Sequence, residues 1–290
     1  MSATGVKAGL RVVTDSAPPS PDAAAEAPPG APFLAVDGVG KDYPLRGSGS
    51  LRALDGVSFA VRPHEICVML GPSGCGKSTL LRMVAGLDAP SQGSCSIEGA
   101  RIVGPGRDRG MVFQSYTSFP WLTVRQNVEY GLRLHGETIA LAEGAGEYFL
   151  DRVGLTKFAD HHPDQLSGGM RQRVALARAL ATYPRMLLMD EPFGALDAET
   201  RWQMQELLLE VVTRERMTVL MVTHDIDEAL FLGDVIVFLS RNPGRVREIL
   251  RPDFKRNGRP ATKEAMYDAP GHRELERHVM QLMRDEGKRE

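Results

Sequence analysis

Ile66-Cys67-Val68-Met69-Leu70-Gly71-Pro72-Ser73-Gly74-Cys75-Gly76-Lys77-Ser78-Thr79 is a run of five apolar residues, a glycine-rich turn and the start of a helical pattern. The run predicts a buried strand. Leu80, Leu81 and Val84 then recur at helical spacing, with Gly86 as the stop. Gly71 to Thr79 fits G-x-x-x-x-G-K-[ST] in the strand-then-helix context that gives the pattern its meaning. Glycines let backbone N–H groups turn inward around phosphate oxygens, and the helix N-terminus adds a favourable partial charge. All nine residues, Gly71, Pro72, Ser73, Gly74, Cys75, Gly76, Lys77, Ser78 and Thr79, are therefore candidates for nucleotide binding. Lys77 is expected to reach the β- and γ-phosphates of ATP, and the Ser78 hydroxyl to ligate Mg²⁺.

Downstream, Met186-Leu187-Leu188-Met189-Asp190-Glu191 is an apolar run ending in two carboxylates. Alone, such a run also describes a helix cap. Behind a phosphate loop it becomes a strand that delivers Asp190 to the metal, at the strand ends where open α/β sheets bind ligands. Glu191, one residue further out, is placed to polarise the attacking water.

From about Phe33 to Leu250, strand-like runs alternate with helical patterns, which predicts an α/β fold with a largely parallel sheet. Thr218 to Val222 is a further core strand. Residues 115–165 change to helix and loop, enough for a small helical subdomain. Thr123 and Gln126 make a capping box opening a helix through Leu134, and Tyr148 to Val153 ends a second helix whose start Gly144 and Gly146 obscure. Residues 1–32, rich in Ala, Pro, Ser and Asp, are expected to form a disordered tail. Residues 251–290 form a C-terminal extension. A basic linker from Arg251 to Lys263 leads there to a terminal helix over Gly271 to Arg284, striped by Leu275, Val279, Leu282 and Met283.

Leu166-Ser167-Gly168-Gly169-Met170, followed by Arg171-Gln172-Arg173, offers a hydroxyl and two glycine amides at a helix start. It is either an ordinary N-cap or a second anion-binding nest. Leu-Ser-Gly-Gly about twenty residues before a strand ending Asp-Glu resembles the signature of the ATP-binding-cassette (ABC) family, and the resemblance extends over roughly Phe33 to Leu250. It implies a P-loop NTPase cassette with a RecA-like core, an antiparallel β subdomain and a small helical subdomain. Further roles follow from the resemblance alone. Tyr43 matches the aromatic that stacks on adenine, with core packing as the alternative. Gln114 matches the glutamine linking Mg²⁺ and water to the helical lobe, Asp197 of Ala195-Leu196-Asp197 the loop between subunits, and His224 the histidine that contacts the γ-phosphate. Gly194 stands where Ser is common.

The family arrangement further implies two cassettes packed head to tail. Lys77, Ser78, Gln114, Asp190, Glu191 and His224 of one chain then face Ser167 and Gly169 of its partner across each ATP. Pro105-Gly106-Arg107 and the run Phe119-Pro120-Trp121-Leu122-Thr123-Val124 are similar to the nitrate, sulfonate and taurine importer subfamily. Transmembrane permease subunits and a periplasmic or extracellular solute-binding protein are the partners this implies, with the chain peripheral on the cytoplasmic face of the inner membrane. Tyr116, Phe119 and Trp121 lie where that family docks its membrane subunit, although core packing describes them too.

Composition agrees. With 35 basic and 37 acidic residues, no bulk charge draws the chain to nucleic acid. No stretch approaches the roughly 20 apolar residues that a membrane span requires. Cys67, Cys75 and Cys95 lack CxxC spacing and suit a reducing compartment, while His161 and His162 lack neighbours at metal-ligand spacing. An exporter motor or a non-transport ABC ATPase is the alternative. The absence of a fused membrane domain, a coiled-coil insertion or a zinc-binding cysteine pair speaks against both.

Overall fold

The computed structural model describes residues 31–288 apart from positions 46, 48, 116, 257 and 261. The expected N-terminal tail lies almost wholly outside the described residues, as does Tyr116.

Four strands, β1 (Leu34–Pro44), β2 (Ser50–Val61), β4 (Gln92–Ile97) and β5 (Ala100–Arg101), form an antiparallel sheet in the order β2-β1-β4-β5. The second sheet holds β3 (Ile66–Leu70), β6 (Arg109–Val112), β7 (Met186–Asp190), β8 (Thr218–Thr223), β9 (Val235–Leu239) and β10 (Val246–Leu250). Its order is β10-β9-β3-β8-β7-β6. Every pairing in it is parallel except the edge pair β10–β9.

The central strands β3, β8 and β9 are buried along their whole length, as parallel strands covered on both faces must be. Their period-2 alternation divides the core. Ile66, Val68 and Leu70 pack with α4 (Gly168–Ala181), α5 (Ala198–Arg214) and α6 (Ile226–Leu232). Cys67 and Met69 pack instead with α1 (Lys77–Val84) and the antiparallel sheet. All three cysteines are free and buried; burial pushes the Cys95 thiol up to about 11.

The helical region comprises α2 (Val124–Leu134) and α3 (Ile139–Arg152), both packed on α4. Thr123 and Gln126 form the expected capping box. α3 starts at Ile139, capped by Thr138, and runs through both glycines. Its helical face needs Gly146, because a Cβ there would sit 2.9 Å from Glu129 Cγ on α2. Helix–helix packing thus overrides the poor intrinsic propensity of glycine.

The stretch expected to be a basic linker is built into the body. Lys255 is buried and its ammonium donates to the carbonyls of Phe231 and Gly233. Arg259 pairs with Asp234. The terminal helix α8 (His272–Gly287), preceded by α7 (Lys263–Tyr267), packs on α6, and Val279 and Leu282 join the main core.

Candidate functional site

Because β3, β6, β7 and β8 run parallel, their C-terminal ends lie along one edge of the sheet. Each end carries predicted site residues: Gly71 to Thr79 after β3, Gln114 after β6, Asp190 and Glu191 at β7, and His224 after β8.

The loop after β3 is held by close backbone approach. A Cβ on Gly71 would lie 2.5 Å from the Leu239 carbonyl oxygen, and one on Gly76 (φ 93°) 2.5 Å from Leu54 Cδ2. Glycine is therefore required at both positions, one against β9 and one against β2. Lys77 is 5% exposed, with its Nζ curled into the loop to donate to the carbonyls of Gly71 (2.7 Å) and Pro72 (3.0 Å).

Ser78 Oγ donates to Asp190 Oδ1 at 2.9 Å, joining the start of α1 to the end of β7 across the intervening strand. Burial pushes the Asp190 carboxyl up; the Ser78 hydroxyl pulls it back down, and Glu191 beside it pushes it further up. A hydroxyl and a carboxylate at this spacing are the oxygen donors that suit a hard cation. Gln114 Nε2 donates to Glu191 Oε2 at 3.4 Å, and His224 Nδ1 lies 3.2 Å from the same oxygen. Glu191 itself has φ 43°, and its N–H donates to the Val222 carbonyl.

Tyr43 is 36% exposed on β1, which argues against a core role. Its hydroxyl donates to Asp88, and Lys41, paired with the same carboxylate, lies 5.1 Å from the ring centroid.

Ser167 caps α4, its Oγ accepting from the Met170 amide at 3.3 Å, and is exposed. Leu166 is buried, and Arg171 donates to its carbonyl. Gly169 is buried against Thr200, which a Cβ would meet at 2.4 Å. The Thr200 amide donates to Asp197 Oδ1, holding that exposed carboxyl below the usual range. The start of α4 and the Asp197 loop thus form one surface. Among the described residues, no hydrogen bond or ion pair joins Ser167, Gly168, Gly169 or Met170 to the Lys77–Asp190 cluster.

Between Gln114 and α2, Asn127 clamps an aromatic loop. The buried amide accepts from Phe119 N–H at 2.7 Å and donates to the carbonyls of Phe119, Leu122 and Thr123. Trp121 stands 70% exposed, its ring 5.4 Å from that of Phe119, so core packing does not describe it. Arg178 of α4 donates to Thr117 and covers Phe119.

The sequence did not disclose the polar groups beneath His224. Thr223 Oγ1 donates to the buried Glu228, which Gln205 also meets. The available signal was a pair of acids opening an otherwise apolar helix, Ile226-Asp227-Glu228-Ala229-Leu230, and it looks like first-turn capping.

The ABC transporter family model matches residues 54–194, a span containing Lys77, Gln114, Ser167, Asp190 and Glu191. A nitrate import ATP-binding protein, NrtD, of Synechocystis sp. is 50% identical over 202 residues, covering 70% of this chain and 76% of that protein. An uncharacterized ABC transporter ATP-binding protein of Methanocaldococcus jannaschii is 48% identical over 227 residues, covering 77% and 83%. A bicarbonate transport ATP-binding protein, CmpC, of Synechococcus elongatus is 47% identical, covering 77% of this chain and 34% of its own length. Among solved structures, a dimeric ATP-binding cassette in a post-hydrolysis state with ADP and Pi superposes with TM-score 0.66 at 33% identity, over 75% of this chain and 98% of that one.

Proposed function

The chain belongs to the ABC transporter family as an ATP-binding, ATP-hydrolysing subunit, and from that premise we propose that it powers uptake of a small solute through a separate permease. The observation that supports the site assignment is the convergence of Ser78, Asp190, Glu191, Gln114 and His224 beside the Gly71–Gly76 loop.

The roles follow from what each group can do. The loop amides and Lys77 bind the triphosphate. The Lys77 ammonium rests on two carbonyls, acceptors that phosphate oxygens can replace without moving the backbone. Ser78 and Asp190, with Gln114 beside them, would hold Mg²⁺, which when bound neutralises developing charge on the phosphates. Glu191 takes the proton of the attacking water. Gln114 and His224 both meet Oε2, and among the described residues no hydrogen bond falls on Oε1, which is left for that water. Tyr43 stacks on the adenine. Ser167 and Gly169 of a partner cassette complete each site, so nucleotide binding closes a two-fold dimer and hydrolysis reopens it.

Among the described residues, no helix is long and apolar enough to cross a membrane; in this reading the solute path is the separate permease. Exposed Trp121, backed by the half-buried Phe119, offers an aromatic edge for a permease helix, with the cassette peripheral on the cytoplasmic face of the membrane. Similarity to nitrate import and bicarbonate transport ATP-binding proteins favours a small anion such as nitrate, a sulfonate or taurine, received from a solute-binding protein.

Glu191→Gln tests the core of this reading. Turnover is expected to fall at least about a hundredfold, while ATP binding persists and ATP drives the chain into a stable dimer by light scattering. Near-normal turnover removes Glu191 as the base.

A further inference from the structure

Directly behind His224 lies a buried polar cluster that the nucleotide chemistry does not use. Glu228 of α6 is 4% exposed. Its Oε2 accepts from the Thr223 hydroxyl at 2.6 Å and its Oε1 from Gln205 Nε2 of α5 at 3.1 Å. The Thr223 hydroxyl oxygen in turn accepts the Asp225 N–H at 3.0 Å. One hydroxyl therefore pins the residues on both sides of His224, and Glu228 pins the hydroxyl. Gln205 is fully buried and, among the described residues, its Oε1 finds no donor and its amide meets Glu228 alone.

Such a pair is a poor way to fill space. A buried carboxylate and amide cost stability against well-packed apolar side chains of the same volume. Burial pushes the Glu228 carboxyl up, with the Thr223 hydrogen bond opposing it. The nearby guanidinium of Arg201 is paired elsewhere, with Asp225 at 3.6 Å. What the pair supplies is placement, and His224 needs it. Its side chain is 57% exposed, and a cavity of about 50 Å³ opens beside it, lined by Glu191, Gly194, Arg201 and Glu228 among others. Packing alone cannot hold a ring with open space on its flanks; the turn must.

We propose that Glu228, held by Gln205, is a positioning residue that locks the Thr223–Asp225 turn and so keeps the His224 imidazole against Glu191. This rests on reading Glu191 and His224 as the hydrolytic pair. It has a mechanical corollary. Gln205 sits about 12 Å along α5 from Asp197, at the helical rise of roughly 1.5 Å per residue. The same bridge thus ties the loop assigned to the subunit boundary to the group assigned to the γ-phosphate.

The test uses Thr223→Val, which keeps shape and β propensity while removing the hydroxyl, and Gln205→Met, which keeps volume. Each is measured by steady-state ATPase in the full-length chain, alone and combined with His224→Ala. Misplacement of a reacting group costs on the order of tenfold to a hundredfold in turnover, so kcat should fall by that factor with KM for ATP changed less than about twofold. In the His224→Ala background the same substitutions should cost less than about twofold, because residues acting through one group are not additive. Equal losses in both backgrounds, or unchanged kcat in folded variants, overturn the proposal. Should Thr223→Val fail to fold by circular dichroism, Gln205→Met carries the same cycle. If His224→Ala alone leaves turnover intact, the hydrolytic reading itself has failed, a result distinct from additivity.

Discussion

Asp190 and Glu191 are adjacent, yet both face one polar cluster: Asp190 meets Ser78 while Glu191 meets Gln114 and His224. Neighbouring residues on a strand point to opposite faces. Two consecutive carboxylates can converge only if the backbone leaves strand geometry between them. Glu191 does so by taking φ 43°, a left-handed conformation that costs a residue bearing a Cβ roughly 1–2 kcal/mol. Its N–H bond to Val222 and the Gly194 N–H bond to its carbonyl hold it there. The strain makes a prediction. Glu191→Gly relieves it, offset by about 0.5–1 kcal/mol of extra chain entropy in the unfolded state. The variant should therefore stay within about 1 kcal/mol of the parent in urea denaturation while losing hydrolysis. A loss well above about 2 kcal/mol would mean that the side-chain contacts, not the backbone, dominate the stability of this turn.

At the level of elements, α6 is held at both ends. Asp225 caps its start, and the Lys255 ammonium reaches the carbonyls of Phe231 and Gly233 at its finish. A cation at a helix C-terminus is favourable, but burial wins here and lowers Lys255 from 10.5 to about 7. Between those values the unfolded chain binds a proton that the native chain lacks, so stability rises with pH from about 7 towards 10.5. The penalty is full below pH 7. From pH 7 to 9 this site alone should add about 2 kcal/mol. The stability difference between parent and Lys255→Met should change by that amount over the interval in urea denaturation; a constant difference would put the ammonium in water. None of this was legible locally, because Lys255 and Arg259 sit in a basic stretch whose partners, Phe231, Gly233 and Asp234, are more than twenty residues away. What was legible had local causes. The strands ending at Leu70 and Asp190 are short apolar runs closed by glycine or carboxylate, and Thr123 with Gln126 is a self-contained cap. Glu228 escaped because its role depends on Gln205 from another helix, and the course of α3 because Gly146 is tolerated only against Glu129.

Over the whole molecule, the two surfaces proposed to hold phosphate are separate. Lys77 lies at the start of α1, whereas Ser167 is exposed at the start of α4, beside the Asp197 loop through Thr200. A single chain cannot close both around one nucleotide by the contacts described, and the superposable cassette is a dimer. This supports sites shared across a two-fold axis, which a mixing experiment can read directly. A Lys77→Ala homodimer lacks the lysine in both sites, and a Ser167→Arg homodimer blocks both nests, so each alone should be inactive. In the mixed dimer, one site joins the altered Lys77 position to the altered Ser167 position. The other joins an intact lysine from one chain to an intact serine from its partner. With random assortment, half the dimers are mixed and each has one working site, so ATPase activity should recover to about a quarter of the parental value if the sites act independently. If lysine and serine served the same nucleotide from within one chain, every site in the mixture would carry one defect, and mixing would restore nothing.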